Sequence, residues 1–271
     1  MTAVTEENVY SSFLERLRTA PFRLLLLDYD GTLAPFQTDR DHAFPYPDIP
    51  PLLTRIGEKG TRIVLISGRP AREVVLLSGV HPHPEIWGSH GMERLLPNGT
   101  YQVEDLPAEI ESALLQAADL MRSAGLENQL ELKSGGVALH WRGLDPSEII
   151  RLKRMVQQLW MPLVEQHSLR LLDFDGGIEL RAPGKDKGKV VRAILDETGT
   201  KGAIAYLGDD RTDEDAFKAL KGRGLTVLVR EQPRSTAAEL WLKPPDELLQ
   251  FLARWLEAEE RKDDDVKRAN D

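Results

Sequence analysis

The chain alternates short, wholly apolar runs with segments of helical period, and three of the apolar runs end in polar residues that a buried strand has no use for. Leu24-Leu25-Leu26-Leu27 opens into Asp28-Tyr29-Asp30-Gly31-Thr32-Leu33. Arg62-Ile63-Val64-Leu65-Ile66 closes on Ser67-Gly68-Arg69, and Ala203 to Leu207 closes on Gly208-Asp209-Asp210. Apolar runs of this length, bounded by turn signals, read as strands buried on both faces of a parallel sheet, and such strands carry functional groups at their carboxyl ends. Pro70 to Leu77 reads as a helix with proline at its start, and Val190 to Thr198 as an amphipathic helix.

After Trp87 the rhythm changes. A turn at Pro97-Asn98-Gly99 leads to a helical segment from about Pro107 to Ser123, then to strand patterns at Gln129 to Leu132 and Val137 to Trp141 around Ser134-Gly135-Gly136. A second helix from about Pro146 to Trp160 precedes a second hairpin, Leu169 to Asp173 and Ile178 to Arg181, around Asp175-Gly176-Gly177. An αββ unit used twice predicts a four-stranded antiparallel sheet with two helices on one face. The period of two places Glu131 and Lys133 opposite Leu130 and Leu132, His140 and Arg142 opposite Leu139 and Trp141, and Glu179 and Arg181 opposite Ile178 and Leu180. The polar face either meets water, as one-sided antiparallel sheets ordinarily do, or meets a ligand.

At 271 residues the chain is long for one core, so a core interrupted by a second domain is expected, with 1–92 and 183–271 as core and 93–182 as insert. A net charge of -9 argues against nucleic acid as the main partner, because phosphate backbones recruit basic surfaces. The absence of cysteine excludes disulfides, thiol nucleophiles and cysteine zinc sites. Met1 to Glu7 lacks the basic and apolar regions of a signal peptide, no apolar run approaches the length of about 20 residues that spans a bilayer, and the charged tail Glu259 to Arg268 reads as a solvated or frayed end.

Each chemical feature has a plain structural reading beside it. Asp-Gly is a turn signal, Thr212 caps a helix, and Asp213, Glu214 and Asp215 suit the positive end of its dipole. Asp28 at its strand end either hydrogen-bonds the loop backbone or meets a cation or donors, without which a buried ionised carboxylate costs several kcal/mol or more; helix capping does not explain Asp209 and Asp210. Gly184-Lys185-Asp186-Lys187-Gly188-Lys189 is either a solvated turn or the source of one lysine that offsets this charge; pattern alone does not choose among Lys185, Lys187 and Lys189.

In this order, Asp28-Tyr29-Asp30-Gly31-Thr32, Ser67, Lys187 in Asp-Lys-Gly, and Gly208-Asp209-Asp210 with Asp213 resemble the haloacid dehalogenase superfamily of phosphohydrolases. Ser-Gly-Arg, Gly-Asp-Asp-Arg-Thr-Asp-Glu-Asp-Ala-Phe, Gly88-Ser89-His90-Gly91, Lys133 with His140-Trp141-Arg142, and Glu179-Leu180-Arg181 resemble the trehalose-6-phosphate phosphatases among them, from about Phe22 to Leu242. The resemblance implies an α/β fold: a Rossmann-like core with a parallel sheet plus an inserted α+β cap (αββαββ, C2B-type). It implies a Mg²⁺-dependent phosphatase acting through an aspartyl-phosphate, with Asp28 as nucleophile and Asp30 as general acid and base. Ser67 and Lys187 are then the phosphate-binding residues, Asp28, Asp30, Asp209 and Asp213 the metal residues, with Asp210 less certain, and Glu131, Lys133 and Glu179 the sugar-binding residues of the cap. Implied with these are a cytoplasmic, monomeric, stand-alone enzyme on a small sugar phosphate, with no nucleic-acid or membrane partner and a metabolic link to a trehalose-6-phosphate synthase. Sucrose phosphate or a glucosylglycerate phosphate as substrate, and a silent sugar-phosphate-binding module, are the alternatives.

Overall fold

The computed structural model describes residues 6–37, 39–174 and 176–270, without the side chains of 6 and 261–270. The readings made for Met1 to Thr5 and for Asp175 lie outside the described residues. In chain order, α1 (Glu6–Thr19) precedes β1 (Arg23–Leu27), α2 (Ile49–Glu58) leads to β2 (Arg62–Ile66), and α3 (Ala71–Ser78) leads to β3 (Glu85–Gly88), β4 (Glu93–Leu95) and β5 (Tyr101–Val103). Next come α4 (Ala108–Ser123), β6 (Leu130–Lys133), β7 (Gly136–His140), α5 (Pro146–His167), β8 (Arg170–Phe174) and β9 (Gly177–Arg181). The chain ends with α6 (Lys187–Thr198), β10 (Ala203–Gly208), α7 (Glu214–Leu220), β11 (Leu225–Val229), β12 (Leu240–Leu242) and α8 (Asp246–Asn270).

The large sheet has the order β12-β11-β10-β1-β2-β3-β4-β5, parallel from β12 to β3 and antiparallel at β4 and β5. Its central strand shows why the apolar run carries no alternation. Leu25 and Leu27 pack into a core with Leu17, Leu53 and Trp255 from α1, α2 and α8, while Leu24 and Leu26 pack with Val190, Ile194 and Phe217 from α6 and α7. All four leucines are fully buried, each a gain of roughly 1.5–3 kcal/mol from leaving water. The order also sets β10 and β2 on either side of β1, so the three polar strand ends read from the sequence lie side by side.

The smaller sheet is antiparallel with the order β6-β7-β9-β8. On one face Val137, Leu139, Ile178 and Leu180 bury against Ala117 and Met121 of α4 and Val156 and Trp160 of α5. The opposite face is not left to water: Glu179 and Arg181 are buried where this sheet meets the large one. Leu132 departs from its apolar pattern, being 48% exposed.

Several boundaries differ from expectation. β4 and β5 extend the large sheet, so the boundary expected at residue 93 falls inside that sheet and the smaller unit starts with α4; strands of three residues are too short to display a period. Helix α5 continues past Trp160 to His167 with Pro162 inside it, because Trp160 and Leu163 on either side of the proline are both buried and outweigh its missing donor. Helix α6 starts at Lys187, not Val190, with Asp186 capping it by accepting from the Lys189 amide at 2.8 Å. The tail is not frayed at its start: Glu259 lies in α8, 2% exposed, and accepts the Thr61 hydroxyl at 2.5 Å.

The chain crosses between the sheets twice, at 104–107 and 182–186. The crossings are clasped by an ion pair between Lys185 and Glu104, and the Lys185 carbonyl accepts from Arg181 at 3.3 Å. Among the described residues, no helix is long and apolar enough to cross a membrane.

Candidate active site

Asp28 follows the last residue of β1 and is 3% exposed. Its Oδ2 accepts the Thr32 hydroxyl at 3.2 Å and its Oδ1 accepts Lys187 Nζ at 2.5 Å. Lys187, from the first turn of α6, also donates to Asp213 Oδ1 at 2.7 Å. Asp28, Asp209 and Asp213 hold carboxylate oxygens within 4.8 Å of one another, all buried. Burial first, then the charge of Asp213, push Asp28 up to about 7 against the pull of Lys187. Burial and the charges of Asp28 and Asp213 push Asp209 well above the usual carboxylate range. For Lys187 burial works the other way, but Asp213 and Asp28 outweigh it and hold the ammonium above the ordinary lysine range.

Two glycines make this crowding possible. Gly31 has φ +83°, and a Cβ there would lie 2.2 Å from Asp209 Oδ2; only glycine takes that turn and admits the neighbouring carboxylate. At Gly208 a Cβ would lie 2.4 Å from the Asp213 carboxyl carbon, so the residue before Asp209 leaves space for Asp213 to fold under the strand end.

The oxygens of Asp213 are already engaged. Oδ1 accepts Lys187 and the Tyr206 hydroxyl at 2.6 Å, and Oδ2 accepts the amides of Asp209 and Asp210 at 3.1 and 3.0 Å. By contrast, Asp209 Oδ1 is buried with no hydrogen-bond partner. A carboxylate pair in contact, one of its oxygens orphaned, is a donor set for a hard cation.

Asp30 meets Arg69 in a two-pronged pair, Nε to Oδ2 at 2.7 Å and Nη2 to Oδ1 at 2.8 Å. Ser67, buried at the end of β2, accepts the Arg69 amide at 3.1 Å, which leaves its proton to donate. From the smaller sheet, Glu131 accepts His140 Nε2 at 2.7 Å, lies 3.4 Å from Lys133 Nζ, and pairs with Arg40 of the loop after β1. Burial opposes the charge of Glu131, but His140, Lys133 and Arg40 hold its carboxyl down to about 2. Glu179 Oε2 accepts Arg181 at 2.6 Å and lies 3.2 Å from His90 Nε2. Burial again opposes the charge, and Arg181, Lys133 and His90 hold it well below the usual carboxylate range.

A cleft of about 110 Å³ lies between the sheets, lined by Asp28, Asp30, Lys187 and Asp209 on one side and by Lys133 and Glu179 on the other. Ser67, Asp213 and Glu131 do not line it and instead hold residues that do. Of the other lysines in the basic loop, Lys185 is clasped to Glu104 and the Lys189 side chain is 54% exposed. Among the groups lining the cleft, sequence reasoning missed Phe36, Arg40 and Phe174, gave His90 no role, and left Arg69 either to assist phosphate or to begin a helix without pairing it with Asp30. Arg69 and His90 lie within motifs quoted from the sequence, whereas nothing in the sequence around Arg40 marks it.

A mainly parallel sheet with an Asp-x-Asp strand end, a serine and an aspartate on the flanking strands, a buried lysine and an inserted antiparallel unit define the haloacid dehalogenase fold class. Residues 26–244 match the trehalose-phosphatase family, and the chain belongs to that family. It is 33% identical over 248 residues to the trehalose-phosphate phosphatase of Mycobacterium tuberculosis, covering 85% of this chain and 60% of that protein. It is 31% identical over 258 residues to probable trehalose-phosphate phosphatase H of Arabidopsis thaliana, covering 86% of this chain and 72% of that protein. The chain thus spans about 60% of the length of mycobacterial relatives such as this one. Among solved structures, the C-terminal domain of Candida albicans trehalose-6-phosphate phosphatase shares the fold with a TM-score of 0.79 at 21% identity, covering 92% of this chain and 96% of that one. The C-terminal domain of the Candida albicans trehalose synthase regulatory protein shares it with a TM-score of 0.70 at 16% identity, covering 90% and 97%.

Proposed function

We propose that the chain hydrolyses trehalose 6-phosphate to trehalose and phosphate through an aspartyl-phosphate on Asp28. The observation that carries this reading is the meeting, across one cleft, of the Asp28, Lys187 and Asp209 cluster with Lys133 and Glu179 of the smaller sheet. In this reading the smaller unit, residues 108–181, is a cap over a core formed by the rest of the chain. Asp28 attacks phosphorus in line, the bond from phosphorus to the sugar oxygen breaks, and that oxygen takes a proton from Asp30. Water then attacks the acyl-phosphate and gives its proton to Asp30, the bond from Asp28 to phosphorus breaks, and phosphate leaves. To give the sugar oxygen its proton Asp30 enters the first step protonated, one oxygen released from the Arg69 fork to carry it while the other stays on Arg69 and keeps the carboxyl aimed. Ser67 and Lys187 donate to the phosphoryl oxygens as charge develops.

Mg²⁺ fits the donor set: Asp28, the main-chain carbonyl of Asp30, and Asp209 with its orphaned oxygen would hold it. It supplies positive charge that offsets the carboxylates and the phosphoryl group. Asp213, whose oxygens are engaged, serves instead to aim Lys187 and the Asp209 loop. Lys133 and Glu179 address sugar hydroxyls, for which carboxylates and ammonium groups are directional partners, and Glu131, expected beside them, acts from behind the cleft wall by holding Lys133, His140 and Arg40. The cleft is smaller than the ~300 Å³ at which pockets enclosing drug-sized ligands begin, so the cap must part from the core to admit a disaccharide phosphate. A monomeric state, a cytoplasmic location and supply of substrate by a trehalose-6-phosphate synthase complete the reading.

The test is phosphate release from trehalose 6-phosphate beside sucrose 6-phosphate, glucose 6-phosphate and glucosylglycerate phosphate, with Mg²⁺ and with chelator. A Mg²⁺-dependent preference for trehalose 6-phosphate is expected. Preference for another sugar phosphate overturns the substrate, and release from none overturns the enzymatic reading in favour of a binding module.

A further inference from the structure

Between β3 and β4 the chain turns through Ser89 and His90, with φ 47° and 54°. Besides these, Ser168 is the only other non-glycine residue with positive φ among the described residues. Two consecutive side chains in this conformation persist only where surrounding contacts over-determine them, and here the contacts are explicit. The Ser89 amide donates to the Arg69 carbonyl at 2.8 Å and the His90 amide to the Ser67 carbonyl at 2.9 Å. The Ser89 hydroxyl donates to Glu93 at 2.8 Å, and Glu93 accepts the Ala71 amide at 2.7 Å. The corner is therefore bolted to the Ser67 loop from both of its residues.

The His90 ring lies over Gly68, where a Cβ would come within 2.6 Å of Nε2. From there it reaches Glu179 of the opposite sheet at 3.2 Å, both side chains less than a tenth exposed. Burial, then the Arg181 charge, push the imidazole down to about 4, so it is neutral near pH 7. With Glu179 ionised, Nε2 carries the proton and donates to it.

We propose that His90 is a positioning residue for substrate selection: it docks the cap carboxylate Glu179 directly over the loop carrying Ser67, Gly68 and Arg69. The inference rests on the proposed function for its substrate but not for its geometry. Arg181 holds Glu179 from within its own strand, whereas His90 holds it from the core. The distance from phosphate site to sugar-facing carboxylate is therefore set by His90 and not by the cap alone. A phosphate ester too small to reach Glu179 does not sense this contact.

The test compares wild type with His90→Asn and His90→Gln, on trehalose 6-phosphate and on p-nitrophenyl phosphate, together with X-ray scattering of the unliganded proteins. Asparagine tolerates the left-handed backbone but is too short to reach Glu179; glutamine places an amide donor near the position of Nε2. For His90→Asn a rise in KM of about ten- to a hundredfold for trehalose 6-phosphate is expected, with kcat changed less than threefold and p-nitrophenyl phosphate turnover within twofold of wild type. His90→Gln should recover most of the KM, and His90→Asn should have a larger radius of gyration than wild type. Equal losses on both substrates, or an unchanged KM, overturn the proposal. Wild type inactive on trehalose 6-phosphate overturns the proposed function instead. The scattering comparison then decides on His90, an unchanged radius in His90→Asn rejecting the docking contact. If His90→Gln fails to fold, His90→Asn alone carries the same outcomes.

Discussion

Replacing Lys187 by methionine, of similar length and without charge, removes the buried cation between Asp28 and Asp213. At separations of about 2.6 Å and an effective dielectric near 20, each contact is a gross attraction of about 6 kcal/mol. The desolvation of a buried ammonium returns several kcal/mol of that total, and breaking one side of a buried pair costs about 3–5 kcal/mol in practice, because the partner is left uncompensated. Two partners are stranded here beside a third carboxylate, Asp209, and protonation of one of them limits the loss. In urea unfolding at pH 7 with chelator, Lys187→Met should be about 3–5 kcal/mol less stable than wild type, a large share of the roughly 5–15 kcal/mol typical of a folded protein. Added Mg²⁺ should narrow the gap, since a bound cation offsets the same carboxylates and stabilises by mass action. Phosphate release should fall at least about a thousandfold. A deficit under about 1 kcal/mol in chelator would refute the reasoning, showing that the cluster does not depend on this charge.

Gly31→Ala should lose both activity and Mg²⁺ binding by calorimetry, since a Cβ at φ +83° would occupy the space of Asp209 Oδ2; binding as tight as wild type would reject the crowding argument. Glu131 has its pKa lowered from 4.5 to about 2, so its stability contribution is complete above about pH 4.5 and is lost as pH falls through 2. Wild type should therefore lose about 3 kcal/mol more than Glu131→Gln over that interval, and parallel acid limbs in the two unfolding profiles would count against the ion cluster. Arg69→Gln should lower kcat about ten- to a hundredfold with little change in KM, because Asp30 loses its orienting fork; a pure KM effect would place Arg69 in substrate binding. Asp28→Asn should fold normally and release no phosphate, and turnover near wild type would remove the nucleophile assignment.

The parts of the site that were legible in the sequence are those whose function forces an apolar run to end abruptly. Asp28, Ser67 and Asp209 stand at such breaks, and parallel pairing of their strands brings them side by side. Lys187 was separable from Lys185 and Lys189 only through the Asp-Lys-Gly resemblance, because Lys185 and Lys187 are both buried and differ in their distant partners, Glu104 for one and Asp28 with Asp213 for the other, which a loop sequence does not display. The contacts Arg69 to Asp30, Arg40 to Glu131 and His90 to Glu179 join segments far apart in the chain and leave no local pattern. Helix α2 begins Ile49-Pro50-Pro51, prolines that suit a first turn but also mark loops. The double αββ pattern was plain because alternate residues of its two inner strands, Val137 and Leu139, Ile178 and Leu180, share one core with the apolar stripes of α4 and α5.

The clasp between Lys185 and Glu104 pins the two crossings of the chain to each other, so the smaller sheet is slung from a pair of tethers gathered at one point. Lys187 lies two residues beyond Lys185, where the returning tether enters α6. The contact that gathers the tethers and the contact that aims the ammonium at Asp28 thus share one short stretch of backbone, so the attachment of the smaller sheet and the charge balance of the carboxylate cluster are built into the same few residues.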